Sequence, residues 1–170
     1  MVPGEGSRPI SDRVKVPLFD ILGPDLSGAW FLDLFAGTGS VGIEAVSRGA
    51  AGSVLVDKDP RAIATVKANL ESTGLGERAE VVRADAFELL ERTPHRAFDY
   101  VYVAPPQYHD LWSRALTALD AHTGWLNPDA WAIVQVHPKE LREIPLVHLR
   151  ETDRRKYGST LLVFYEFPGS

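Results

Sequence analysis

The sequence predicts an α/β fold built on a seven-stranded, mostly parallel sheet with an antiparallel last hairpin, and three observations predict it. Apolar strand-like runs alternate with segments of helical period, a glycine-rich turn joins the first strand to a helix, and the last two strand candidates are linked by a short turn with no helix. Parallel pairing needs crossover connections, and the first four strand candidates are each followed by one.

In chain order, Trp30 to Phe35 reads as the first strand, Ser40 to Arg48 as a helix and Ser53 to Asp57 as the second strand, which makes a βαβ unit. Asp59 followed by Pro60 is an N-cap and a first-turn proline. Ile63, Val66 and Leu70 repeat on one helical face, and Gly74 supplies the stop. Strands at Ala79 to Arg83, Phe98 to Val103 and Ala130 to Val136 follow, with helices near Ala86 to Arg92 and Asp110 to Ala121 between them. Leu146 to Glu151 and Thr160 to Phe167 read as the closing hairpin.

The 170 residues fit a single domain over residues 1–170, with no internal repeat and enough chain for a full core. There is no cysteine, so disulfides and cysteine-based zinc sites are excluded. The absence of a charged-then-apolar leader makes the cytoplasm the expected location. Apolar runs such as Ala130 to Val136 are too short to span a bilayer. The net charge of -5 argues against reliance on phosphate neutralisation, yet Arg8, Arg13 and Lys15 near one end and Arg154, Arg155 and Lys156 near the other could form a basic rim. Five histidines show no metal-ligand spacing, and no metal is expected.

Phe31-Leu-Asp-Leu-Phe-Ala-Gly-Thr-Gly-Ser-Val-Gly42 places Gly37 and Gly39 where a buried strand turns sharply into a helix while a ligand approaches the backbone. Gly37, Gly39 and Gly42 also satisfy the dinucleotide pattern, with Asp57 at the spacing of a ribose-binding acid, so nicotinamide or flavin is a competing reading. Asp33 separates the two: a carboxylate just before the glycine turn suits the ammonium of a methionine moiety and would repel a pyrophosphate. Asp85, beyond the third strand, could accept from an adenine amine while the Ala86 amide meets the ring. Asp33, Phe35, Ala36, Gly37, Thr38, Gly39, Asp57, Lys58, Asp85 and Ala86 are therefore the cofactor-binding candidates, and together they resemble a cleft for S-adenosylmethionine. For any one of these aspartates alone, the competing reading is a helix N-cap or a solvated loop end.

At the end of the fourth strand stands Ala104-Pro-Pro-Gln-Tyr108. Methyltransferases acting on planar exocyclic amines look similar here but read Asp-Pro-Pro-Tyr or Asn-Pro-Pro-Tyr. Acceptors on the amine hydrogens pull its delocalised lone pair toward the methyl donor, and the aromatic residue stacks on the extruded base. The Ala104 side chain cannot accept. Ala104, Pro105, Pro106, Gln107 and Tyr108 are the catalytic candidates, with the Gln107 amide oxygen as substitute acceptor, the Pro105 carbonyl as the second acceptor and Tyr108 as the stacking ring. A lost charge-assisted hydrogen bond is worth about 1.5 to 3 kcal/mol, roughly ten- to a hundredfold in rate.

Arg8-Pro-Ile-Ser-Asp-Arg13 leading into Leu18-Phe-Asp-Ile-Leu22, Gly42-Ile-Glu-Ala-Val-Ser-Arg-Gly-Ala50, and Lys156-Tyr-Gly-Ser-Thr160 together resemble the RsmD family over nearly the whole chain. The resemblance implies a Rossmann-like class I S-adenosylmethionine-dependent methyltransferase fold. It implies methyl transfer to the N2 amine of guanine 966 in bacterial 16S ribosomal RNA, with S-adenosylhomocysteine as co-product. The implied partner is 16S rRNA or a small-subunit assembly particle, met by a monomer away from any membrane, with Arg8, Ser11, Arg13, Arg155, Lys156 and Tyr157 as RNA contacts. Family members begin with a basic hairpin, and this chain starts after where that hairpin would end. Val16 and Pro17 stand where the family's first helix carries an acid and a small residue. Pro17 inside a helix capped by Ser11 predicts a kink or a late start, and the losses at Val16 and Ala104 predict a less acidic pocket. Two alternatives stay open: a catalytically silent cofactor-binding relative acting as an RNA or protein binding module, and an amine methyltransferase for another substrate.

Overall fold

The computed structural model describes residues 10–169 apart from residues 24 and 108. Arg8 and Tyr108 therefore lie outside the described residues.

Apolar alternation produces the sheet, and its connections give the order β3-β2-β1-β4-β5-β7-β6. The strands are β1 (Trp30–Asp33), β2 (Gly52–Asp57), β3 (Ala79–Arg83), β4 (Phe98–Val103), β5 (Leu126–Val136), β6 (Arg150–Tyr157) and β7 (Thr160–Phe167). The first five run parallel, while β7 is antiparallel to both β5 and β6. Helices α1 (Asp12–Leu22), α2 (Ser40–Ser47) and α3 (Pro60–Thr73) cover one face. Helices α4 (Ala86–Leu90) and α5 (Leu111–Ala121) cover the other, where Trp112, Leu116 and Leu119 pack on Val101, Val103 and Val134. The chain reverses its winding direction between β1 and β4, the place where open α/β sheets leave a crevice beyond the carboxyl ends of their strands.

Caps follow the expected chemistry at α3: the Asp59 carboxylate accepts from the Arg61 amide at 2.8 Å, and Gly74 closes the helix at φ 71°. The first strand stops at Asp33 rather than Phe35: Leu34 still bonds to Tyr102 of β4 and Ala36 to Val56 of β2, and the chain then closes the glycine turn with the Gly39 amide on the Ala36 carbonyl. Helix α4 ends at Leu90, where the Glu91 and Arg92 amides switch to tighter bonds with carbonyls three residues back.

The late start allowed at Pro17 and the first arm of the closing hairpin are corrected. Helix α1 starts at Asp12 and runs through Pro17, with no late start, because Val14, Leu18, Phe19 and Leu22 are all buried against the sheet; that burial outweighs the bond the proline removes. Ser11 holds the N-cap position, yet its hydroxyl makes no capping bond. The first arm of the hairpin is Arg150–Tyr157, not Leu146 to Glu151. The Asp120 carboxylate accepts the Val147, His148 and Leu149 amides at 2.7–2.8 Å, so those groups are taken before a strand can form. The true strand, Arg-Glu-Thr-Asp-Arg-Arg-Lys-Tyr, lies at the sheet edge and is too charged to show alternation.

Candidate active site

The strand order places the ends of β3, β2, β1 and β4 side by side, so Asp85, Asp57, Asp33 and Ala104 follow one another along a single edge. Asp33 is 1% exposed. Its Oδ2 accepts from the Gly42 amide at 3.1 Å, while its Oδ1 is buried without a hydrogen-bond partner among the described residues. Burial pushes this carboxyl up to about 7, with the nearby Asp57 adding to the shift and the Gly42 and Phe35 amides opposing it.

The glycine turn is fixed from three sides. Gly37 and Gly39 take left-handed conformations, φ 60° and 83°. The Gly37 amide donates to Asp57 Oδ2 at 3.0 Å, and Asn69 on α3 donates to the Thr38 carbonyl at 2.8 Å. A Cβ at Gly39 would stand 3.1–3.2 Å from the Ile43, Leu55 and Val66 side chains, so the turn is packed from beneath as well as strained for any other residue. Asp57 Oδ1 takes the Asp59 amide at 2.9 Å. Asp85 caps α4, its Oδ1 accepting from Phe87 and Glu88. Both acids thus perform the local capping that competed with a ligand role, though Asp57 keeps a lone pair on each oxygen and the capping bonds of Asp85 fall on Oδ1 alone. Phe35 and Phe87 meet edge to face at 6.0 Å, Ala36 and Ala86 are buried, and Lys58 is exposed. An unpaired buried acceptor behind a side-chain-free turn, flanked by two half-exposed carboxylates, fits a ligand with an ammonium and a ribose.

Beside this cleft lies a pocket of about 210 Å³. Its walls come from five separate stretches: Ser11 and Val14 at the start of α1, Ala104 to Gln107 after β4, Trp112 on α5, Gln135 and the residues that follow it at the end of β5, and Ser159 and Thr160 at the β6–β7 turn. The catalytic candidates Ala104, Pro105, Pro106 and Gln107 are all brought together here. Val16 is 48% exposed on α1 and is not part of the wall, so only the Ala104 loss bears on the pocket. Glu140 also lines it, and the pocket is not stripped of acid. The loop beyond Gln107 is held under strain, with His109 and Asp110 both left-handed, at φ 62° and 56°. Asp110 pairs with Arg142, which holds its carboxyl below the usual range, and Trp112 Nε1 donates to the Glu140 carbonyl at 3.2 Å.

Of the RNA candidates, Ser11 lines the pocket, and the chain segments that carry Arg13, Lys156 and Tyr157 adjoin its walls at Ser11, Val14, Ser159 and Thr160. Ser11 and Arg13 sit at the start of α1, and the Arg13 guanidinium reaches within 3.3 Å of where a Cβ on Gly158 would stand, beside Tyr157 and Lys156. Arg155 is paired with Asp153 at 2.8 Å and Arg154 with Glu151 at 2.7 Å, which neutralises part of the basic run. Sequence reasoning missed Asn69, Tyr102, Gln135 and Glu140. Gln135 did leave a signal, as the single polar residue of the run Ala130 to Val136. No cluster of three or more potential metal ligands occurs among the described residues, and none of their helices is long and apolar enough to cross a membrane.

The family model described as Conserved hypothetical protein 95 matches residues 1–166. The proposed rRNA methyltransferase YlbH of Bacillus subtilis (strain 168) is 37% identical over 99% of this chain and 92% of its own length. Ribosomal RNA small subunit methyltransferase D of Haemophilus influenzae is 33% identical over 95% of this chain and 82% of its own. Among solved structures, a proposed methyltransferase, yhhF, of Escherichia coli superposes with a TM-score of 0.84 at 30% identity, covering 95% of this chain and 88% of that one. An RNA methyltransferase from Salinibacter ruber, solved in complex with S-adenosylhomocysteine, has the same fold at a TM-score of 0.71 and 15% identity, over 96% and 95% of the two chains.

Proposed function

Because the chain belongs to the Conserved hypothetical protein 95 family, the RsmD family, we propose that it transfers a methyl group from S-adenosylmethionine to the exocyclic N2 amine of guanine 966 in 16S ribosomal RNA. The observation that carries this reading is the adjacency of β1 and β4: Asp33 pairs in register with Tyr102, so the glycine turn and the proline loop open side by side. A donor held over one would face an amine held by the other.

In this reading Gly37, Gly39 and the lone pairs of Asp57 and Asp85 hold the ribose and adenine, and the unpaired oxygen of Asp33 takes the ammonium side. The cofactor supplies an electrophilic methyl on a sulfonium. The chain's own residues orient the nucleophile: the Pro105 carbonyl accepts one amine hydrogen, a glutamine carboxamide in the same pocket accepts the other, and Tyr108 stacks on the base. Pro105 and Pro106 hold that carbonyl stiffly, so little reorganisation is needed at the transition state. Arg13 and Lys156, which have no ion-pair partner among the described residues, meet phosphates at the mouth.

Transfer of labelled methyl to unmodified 30S subunits and to naked 16S RNA tests this. Incorporation at a single guanine amine is the expected result. Tight binding of NADH with none of adenosylhomocysteine, measured by calorimetry, would overturn it. The side chain of Ala104 favours one second reading, a binding module without catalysis, which predicts cofactor affinity with no incorporation even after Ala104→Asp.

A further inference from the structure

We infer that Gln135, and not Gln107, is the side-chain acceptor for the substrate amine, replacing from the neighbouring strand the acceptor that Ala104 cannot supply. The inference rests on the methyltransferase reading and names the residue that this reading leaves open between two glutamines.

Register is the first argument. Strands β4 and β5 run parallel with Val103 opposite Val134, so the next pair along the ladder is Ala104 and Gln135. Opposed residues of parallel strands share a face, and the strands lie about 4.8 Å apart. A carboxamide at 135 therefore serves the same volume as an acid at 104. Both residues line the pocket.

Orientation is the second. The Tyr102 hydroxyl donates to Gln135 Oε1 in a close contact. Tyr102 is 3% exposed, and burial with the nearby Asp33 holds its hydroxyl well above the usual phenol range, so the proton stays on the donor. One lone pair of Oε1 is occupied by that bond and fixes the carboxamide; the other remains for an amine hydrogen.

Rigidity is the third. Gln135 stands on an interior strand, with β4 on one side and Leu162 of β7 opposite it on the other. Gln107 stands on the strained loop that leads into the left-handed His109 and Asp110. Acceptors placed in advance stabilise developing charge without reorganising. The amine lone pair forms the new N–C bond as the C–S bond breaks and its electron pair passes to sulfur. Positive charge grows on the amine and polarises its hydrogens toward Gln135 Oε1 and the Pro105 carbonyl, and the methylated amine then releases one proton to solvent water.

Steady-state methyl transfer to unmodified 30S subunits, read beside adenosylhomocysteine affinity and melting temperature, tests the assignment. Gln135→Ala is expected to lower kcat by about ten- to a hundredfold, with KM and adenosylhomocysteine affinity within about twofold, and to cost more than Gln107→Ala. Ala104→Asp added to Gln135→Ala is expected to restore kcat. Gln135→Glu is expected to exceed wild type, the gain appearing as pH rises through the new carboxylate's titration, which a structural role would not produce. Tyr102→Phe, a change at a positioning residue, is expected to lower kcat severalfold with KM unchanged. A larger loss for Gln107→Ala than for Gln135→Ala, or a Gln135→Ala effect confined to KM or melting temperature, would overturn the assignment alone. A wild type that binds adenosylhomocysteine yet methylates neither 30S subunits nor 16S RNA would overturn the functional reading, and the assignment with it.

Discussion

The two halves of the sheet's working edge are built in opposite ways. The half over β1 to β3 is a backbone device: Gly37 and Gly39 are in left-handed conformations, Asp57 and Asp85 are held by nearby amides, and Asn69 pins the Thr38 carbonyl. The half over β4 to β7 is a side-chain device, assembled from α1, the proline loop, β5 and a hairpin turn. The difference teaches where variation is tolerated. A backbone cradle fails when one glycine changes, whereas a pocket with several contributors can lose an acceptor at Ala104 and recruit another across the strand.

The sharpest way to break the comparison is Gly39→Val. A β-branched residue at φ 83°, pressed against Ile43, Leu55 and Val66, is expected to abolish adenosylhomocysteine binding in calorimetry. A cost of about 3 kcal/mol would also lower the melting temperature by roughly 10 °C. If both are unchanged, the cradle is not the device described. Next in size is Ala104→Asp, which returns an acid to the pocket. A kcat gain of about tenfold or more with unaltered adenosylhomocysteine affinity is expected, and a change in affinity instead would merge the two halves.

Asp33 sharpens the comparison through pH. Its folded-state value, about 7, lies above the unfolded value of 3.8, so the folded chain binds a proton that the unfolded chain does not between those limits. Stability contributed by this group falls as pH rises from about 4 to 7 and stays low above that. Asp33→Asn is expected to remove this slope, to raise the melting temperature at pH 8 by several degrees, and to weaken adenosylhomocysteine. A variant with the wild-type slope between pH 4 and 7 would show that Asp33 ionises freely in the fold.

The smallest effects belong to the rim. Arg13→Ala and Lys156→Ala are each expected to reduce the salt dependence of 16S RNA binding by a little under one unit in log–log slope. Arg155→Ala, removing a cation already paired with Asp153, should change it less. Equal slopes for all three would mean that the ion pair opens on RNA.

The same division decides what the sequence reveals. Gly37, Gly39, Gly74 and the Asp59-Pro60 cap are local: their roles depend on neighbours within a few residues, so the elements around them were readable. The two misplaced features are non-local. Asp120 captures amides 27–29 residues away and delays β6, and the buried face of α1 carries Pro17 through a helix that its own chemistry disfavours. Of the site, Ala104 to Gln107 were visible by motif, while Gln135 entered only when the β4–β5 register put it beside Ala104.

Strand order also carries a schedule. β7 is the last strand in chain order, yet it lies inside the sheet between β5 and β6. During synthesis β5 therefore leaves the ribosome with one apolar edge open, and β6 emerges with no strand to join, until residues 160–167 arrive and zip both sides at once. A nascent chain can shape its cofactor cradle early, but the Ser159 and Thr160 wall of the pocket comes with the final strand, so catalysis switches on only when the sheet is complete.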